Sequence, residues 1–284
     1  MAYHALILTH NFKFWSIFDE KLIQISQKFE RNYFKRGNYD GAFKRLGSQA
    51  VAATLQVFNT SIQTFLPTPS KSHYLFNLRD FSRVIMGCLQ IPAAQLDSSE
   101  KFIRLWVHES HRVFADRLID TTDQDTFFEI MKDSTQDNFK VSLEKVLSHL
   151  SQGARSLEAS HIRSLFFGDF GNPNSNIKIY DEITDQAGLK TIMDTYLDEY
   201  NQISTAPMKL VMFRFAIEHI SRVCRILSQP GGHALLIGVG GSGRIVAIID
   251  NTLEHIFDAF GEAHFERASL FCTIWDLQSN KIKR

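Results

Sequence analysis

The chain has almost no net charge: 31 Lys and Arg balance 31 Asp and Glu over 284 residues. Without excess charge there is no bulk field to draw it to nucleic acid or to an anionic membrane. Cysteine is scarce as well. Cys88, Cys224 and Cys272 are far apart and sit among apolar neighbours. An odd, scattered set makes neither a disulfide framework nor a metal site, and reads as buried thiols in a reducing compartment. No apolar run approaches the length needed to span a bilayer. The N-terminus carries His4, His10 and Lys13 and lacks a small-residue cleavage site, so no secretory signal is expected. Pro-rich, Ser-rich and single-sign charged tracts are missing too, and no internal repeat is detected. What remains is expected of a soluble intracellular protein. Its apolar fraction of 44% is enough for a sizeable core, and its length suits two domains or one large one.

The first half of the chain has helical texture. Residues 3–8 suit a strand, and Phe18, Leu22, Ile25 and Phe29 have helical spacing. A long helix is expected from Asp40 to about Leu66, with Leu46, Val51, Leu55, Phe58, Ile62 and Phe65 inward, until Pro67-Thr-Pro69 stops it. A second helix should start at the cap Asn77, with Asp80 as its capping-box partner, burying Phe81, Val84, Ile85, Cys88 and Leu89 and ending before Pro92. Arg79 is then a cation in the first turn of a helix, where the macrodipole disfavours it by up to ~1 kcal/mol. A residue set against the local field is a candidate for meeting an anion; the other reading is an exposed arginine in salt solution. A third helix is expected over residues 99–118, capped by Ser98 or Ser99, with Phe102, Leu105, Trp106, Val113 and Leu118 inward. It holds His108-Glu109-Ser110-His111, one residue short of the zinc motif and without a third ligand, so these histidines read as surface or helix contacts. Shorter helices near Thr122–Lys132 and Asn138–Leu150 follow, and residues 151–155 are the linker candidate.

Beyond the linker the texture changes. Residues 164–167 and 177–180 suit strands around a turn at Gly171-Asn-Pro173, and a helix follows over about 188–203. Pro207 is expected to begin a strong helix running to about Ser228, with Phe213, Ile217, Ile220, Cys224 and Leu227 inward. Glu218 would pair with Arg214 and Arg222 on its wet side. That helix delivers the chain to Pro230-Gly-Gly and a short apolar strand at residues 234–239. Four glycines then fall within six positions, Gly238, Gly240, Gly241 and Gly243. Such a loop turns sharply and aims consecutive N–H groups at one spot, which is a phosphate cradle. Gly238-x-x-x-x-Gly243 has the spacing of a Walker A loop. Arg244 stands where Lys is expected, however, and Ile245 where Ser or Thr would hold magnesium. The backbone is suited to phosphate and the two chemical side chains are missing. The same glycines also spell the dinucleotide fingerprint Gly238-x-Gly240-x-x-Gly243, and a ligand-free glycine turn is the third reading. A helix at residues 249–260 and a strand at Ser269–Trp275 complete the pattern, with Asp276 followed by Leu277 and not by an acid. The expected fold is mainly α with a partial α/β P-loop segment.

Several stretches together resemble the motor region of axonemal dynein heavy chains, from about residue 40 to Arg244. They are Leu66-Pro-Thr-Pro-Ser-Lys-Ser-His-Tyr-Leu-Phe-Asn-Leu-Arg-Asp80, Leu105-Trp-Val-His-Glu109 with Arg112-Val-Phe-Ala-Asp-Arg117, Phe167-Gly-Asp-Phe170, and Pro230 to Arg244. In that family a ring of AAA+ modules couples ATP binding and hydrolysis to movement along microtubules. The resemblance implies the tail of an upstream AAA+ large domain in residues 1–39 and a helical AAA+ lid in 40–150, closing the third module. It further implies the opening of the fourth module in 151–244 and a divergent tail in 245–284. Arg79 falls where the family carries a lid arginine facing the third module's phosphates. Gly238, Val239, Gly240, Gly241, Ser242, Gly243 and Arg244 would be the nucleotide-binding loop, with ATP weakly bound or vestigial and magnesium possible. Partners would be other dynein heavy, intermediate and light chains, and microtubules only through the full motor, in the cytoplasm, cytoskeleton and ciliary axoneme. The chain resembles a product truncated at both ends, with little or no ATPase of its own. The alternatives are a non-catalytic helical protein that associates with dynein chains, and a dinucleotide-binding oxidoreductase.

Overall fold

A computed structural model describes residues 41–150, 157–172, 178–203, 207, 209–229, 233–239, 269–276 and 281–283, the last three segments by their backbone. The strand and helix expected before residue 40, the linker at 151–155 and the helix at 249–260 lie outside the described residues. The chain divides into two compact units, one up to Ile162 and one from Arg163.

The first unit is helical: α1 (Gly41–Thr64), α2 (Leu78–Cys88), α3 (Ser99–Phe114), α4 (Thr121–Phe139), α5 (Leu143–Val146) and α6 (Ala159–Ile162). Its centre is α3. From Lys101 to Ser110 every residue but Arg104 is buried, as befits a helix enclosed by its neighbours rather than one with a single wet face. The expected stripe was therefore too narrow, and His108, read as a surface or contact residue, is buried with Glu109 beside it. The helix also ends earlier, at Phe114, and a 3-10 turn carries the chain to Leu118.

The buried face of α1 differs from the one expected. Leu46, Phe58 and Phe65 do point inward, but the rest of the seam is Ala50, Ala53, Thr54, Val57 and Ser61, while Val51 and Leu55 are half-buried and Ile62 is exposed. Small residues let the helices approach closely, and Thr54 among them is satisfied at short range. Thr54 Oγ1 donates to Ala50 O at 2.6 Å and accepts from Trp106 Nε1 at 2.8 Å, and Ser134 donates to Ala53 O at 3.1 Å. The same bonding explains why α4 runs unbroken through Asp133–Asp137, where the sequence pattern suggested an end. Ser134 reaches α1, and Thr135 returns its hydroxyl to Met131 O at 2.7 Å. The helix stops only at Lys140, which adopts left-handed φ of 58°.

The second unit pairs β1 (Phe166–Gly168) with β2 (Asp181–Ile183) antiparallel, in the register Phe166 opposite Ile183. The second strand thus forms four residues later than expected. Helices α7 (Gln186–Ile203) and α8 (Arg214–Leu227) lie over this hairpin around a core of Phe166, Phe170, Met193, Tyr196, Ile217 and Cys224. Pro207 does not begin the last helix. Met212 is buried while Val211 and Phe213 are exposed, a period of two, so this apolar segment covers the core as extended chain and α8 begins after it. Glu218, expected on the wet face, is 3% exposed. Its carboxylate takes Arg163 at 2.7 Å and Arg214 at 3.3 Å. A single ionised oxygen pair is thus buried under two guanidinium groups that remain about half in water.

The chain then forms β3 (His233–Val239), parallel to β4 (Ser269–Asp276), which is flanked antiparallel by β5 (Lys281–Lys283). The first two were legible in the sequence; β5 was not. No described helix is long and apolar enough to cross a membrane.

Candidate functional site

Two groups of residues carry the chemistry read from the sequence, one in each unit. In the first, Asn77 is extended (φ −140°, ψ 172°) and its side chain accepts from Arg79 N at 2.8 Å. Asp80 returns the bond, accepting from Asn77 N at 2.9 Å. Both halves of the capping box are therefore formed, and two of the orphan donors at the start of α2 are satisfied. Arg79 is exposed, and among the described residues no carboxylate pairs with its guanidinium.

Sequence reasoning missed what holds this helix start in place. Asp80 is 2% exposed and receives Arg117 at 2.8 Å, with Arg83 at 3.7 Å. Arg117 also donates to Leu75 O at 2.6 Å and lies over the Phe76 ring, 4.9 Å from its centroid. Its own carbonyl is 2.9 Å from His73 Nε2. Further along, Lys71 pairs with Asp120 and Asp123, and Tyr74 donates to Asp123 at 2.8 Å while accepting from Ile119 N at 3.0 Å. These hydrogen bonds hold the Lys71 ammonium well above its ordinary range. The bond from Lys71 holds the Asp123 carboxyl below its own range, against the effect of burial. Burial pushes the Tyr74 phenol up. The loop from residue 71 to 76 is thus stapled to residues 117–123. Sequence spacing could not find these pairs, which lie 37 to 52 residues apart.

In the second unit, Gly238 and Val239 close β3, opposite Ile274 and Trp275 of β4. Gly240, Gly241, Ser242, Gly243 and Arg244 lie outside the described residues. Ser228, just after α8, donates to Asp169 Oδ2 at 3.3 Å, which ties the chain entering β3 to the turn leaving β1. That turn is tight: a Cβ on Gly168 would sit 2.3 Å from the Phe170 ring. Tyr196 donates to Phe170 O at 3.3 Å and accepts from Lys178 at 3.1 Å.

Burial pushes the Asp169 carboxyl up, against its bond from Ser228 and the charge of Lys178. Burial likewise raises the Cys224 thiol and the Tyr196 phenol. For a carboxyl raised in the fold, stability is full below its unfolded value near ~3.9 and is lost as pH rises through the folded one. Replacing Asp169 with Asn is therefore expected to raise the melting temperature at pH 7. The gain should shrink towards zero by pH 3, as read from melts at several pH values.

A magnesium ion is not suited by the side chains at the end of the glycine loop. Ile245 offers no oxygen, and for an anion the sequence supplies the backbone, the Ser242 hydroxyl and the cation Arg244. A phosphate, in contrast, needs only N–H donors and positive charge.

A bundle of this kind followed by a glycine-loop strand is the order of an AAA+ lid and the module after it. The family model of the AAA+ lid domain matches residues 50–148, and that of the P-loop-containing dynein motor region D4 matches residues 208–249. The chain is 52% identical over 242 residues to dynein axonemal heavy chain 3 of Mus musculus, covering 85% of this chain and 6% of that one. It is 51% identical to the same heavy chain of Homo sapiens, again over 85% of this chain and 6% of the relative. Against dynein axonemal heavy chain 12 of Rattus norvegicus the identity is 46%, over 81% of this chain and 8% of the relative. The chain belongs to the axonemal dynein heavy-chain family, and it matches part of the motor region. It spans less than a tenth of the length of these relatives. The matches run past Arg244, where the sequence resemblance stopped, to residue 249. They assign the glycines to a P-loop module and not to a dinucleotide fold.

Proposed function

We propose that this chain supplies a lid and the opening of the next module in a dynein-type ring, and that it has little or no ATPase of its own. Residues 40–150 act as the lid of the third module, with Arg79 facing its phosphates, and residues 151–244 open the fourth. The full motor would drive movement along microtubules in the ciliary axoneme, in company with other dynein heavy, intermediate and light chains. The observation that carries this reading is the order of two family matches on one chain, a lid at 50–148 and then a dynein P-loop region at 208–249. Hydrolysis needs a metal, a water-orienting acid and charge stabilisation around the γ-phosphate. At the glycine loop only a backbone cradle and Arg244 can be named, and the planar arginine fork is a poor replacement for lysine there.

The test is a thermal melt of the purified chain with and without millimolar ATP and magnesium. A ligand at about 100 times its dissociation constant would add ~2.7 kcal/mol to the folded state. The expected result is a cooperative melt with little or no shift. A clear upward shift that Arg244→Ala removes would show a working nucleotide site and overturn the vestigial reading.

A second reading, a helical protein docking on dynein chains, is favoured by exposed apolar side chains. Leu66, Leu75 and Ile119 are each more than half exposed in the first unit, and Val211, Phe213 and Phe215 in the second. Co-purification with a dynein complex supports it; a soluble monomer at high concentration counts against it.

A further inference from the structure

We propose that Arg117 is the positioning residue for Arg79, holding the first turn of α2 so that the Arg79 guanidinium is presented at a fixed place. This rests on the reading of Arg79 as the residue that faces phosphate. The path is short and continuous. The Arg117 fork grips the Asp80 carboxylate at 2.8 and 3.3 Å, Asp80 accepts from Asn77 N, and Asn77 accepts from the backbone N–H of Arg79 itself. The Nη1 that meets Asp80 Oδ2 also donates to Leu75 O at 2.6 Å, just before the cap, and the guanidinium face covers Phe76. One side chain from the 3-10 turn after α3 therefore clamps both the loop entering α2 and the carboxylate that caps it.

Asp80 depends on this contact. It is 2% exposed, and its other cation, Arg83, is 3.7 Å away and itself 59% exposed. Without Arg117, a buried carboxylate keeps one distant partner, and the cheapest relief is for it to turn towards water and abandon Asn77 N. The capping box then opens, and Arg79, at the second helical position, frays with it. Lysine cannot substitute. A point ammonium does not bridge a carbonyl and two carboxylate oxygens that lie in different directions, as a planar guanidinium does.

The experiment uses the full chain, as wild type and as Arg117→Ala, Arg117→Lys and Arg79→Ala, and measures amide hydrogen exchange residue by residue. The expected result is that both Arg117 variants speed exchange of the Arg79 amide at least tenfold, while amides of Leu105 to Val107 in α3 keep their protection. Arg79→Ala should leave the protection of α2 as it is. Unchanged exchange at Arg79 in Arg117→Lys overturns the proposal, and this variant decides if Arg117→Ala does not fold. A parallel titration with inorganic pyrophosphate follows the Arg79 side-chain Nε–H resonance. If that resonance does not move in the wild type, the phosphate-facing reading fails while the exchange result still stands or falls separately. If it moves, Arg117→Lys is expected to weaken the response at least threefold.

Discussion

Trp106→Ala is expected to destabilise the first unit by ~3–5 kcal/mol, the range for truncating a large buried aromatic. Trp106 is fully buried at the centre of α3, its ring 5.1 Å from that of Phe139 and its indole N–H on Thr54. Removing it opens a cavity between α3, α1 and α4 at once. Thr54 keeps its own bond to Ala50 O, so no buried hydroxyl is orphaned and the loss is mainly packing. Trp106→Phe separates the two contributions: it retains most of the volume and should cost about 1–2 kcal/mol, from the lost hydrogen bond and the smaller ring. Urea denaturation followed by far-UV circular dichroism reads both. Equal midpoints for Trp106→Ala and wild type would show that α3 is not the centre of this unit.

Asp80→Ala carries the next largest expected effect, ~2–3 kcal/mol. About 1 kcal/mol of it is the lost cap, and the rest comes from breaking an ion pair whose carboxylate is buried. The figure stays below that of a fully buried pair because Arg117 is 23% exposed and can recover water. Asp80→Asn keeps an acceptor for Asn77 N and loses only the charge, so its loss should be about half as large. If the two variants were equally destabilised, the charge of the Arg117 pair would account for all of the effect and the cap for none.

What was legible in the chain follows the range of the forces involved. The start of α2 could be read from Asn77 and Asp80 because a capping box is local, within four residues. β3 could be read because an apolar run bounded by glycines is local too. The face of α1 was misjudged because hydrophobic size was taken as the guide to burial, and the seam is built of Ala50, Ala53, Thr54 and Ser61, chosen for close approach. The start of α8 was placed at Pro207 because proline suits a first helical position. The core below needed Met212 from an extended segment, and tertiary packing prevailed. Glu218 was read as half of a surface pair because its third partner, Arg163, comes from 55 residues away.

The candidate site shows the same division. Arg79 stood out because a cation in the first turn opposes the helix field. Arg117, which secures that turn, gave no signal beyond its place in one of the stretches that carry the family resemblance, since its contact with Asp80 spans 37 residues. In the second unit, β3 and its parallel partner β4 were expected, whereas the tie between Asp169 and Ser228 was not. It depends on a turn after β1 that only the packing of Phe170 against Gly168 defines.

The central claim is that this chain carries elements of ATP sites without an ATPase of its own. It is tested most directly by the steady-state rate of phosphate release from ATP by the purified full chain, with magnesium present, beside an Arg244→Ala preparation. The account predicts that the two preparations are indistinguishable and that neither exceeds the background of buffer. A rate above background that disappears in Arg244→Ala would contradict it, and would make the Gly238–Arg244 loop a catalytic one.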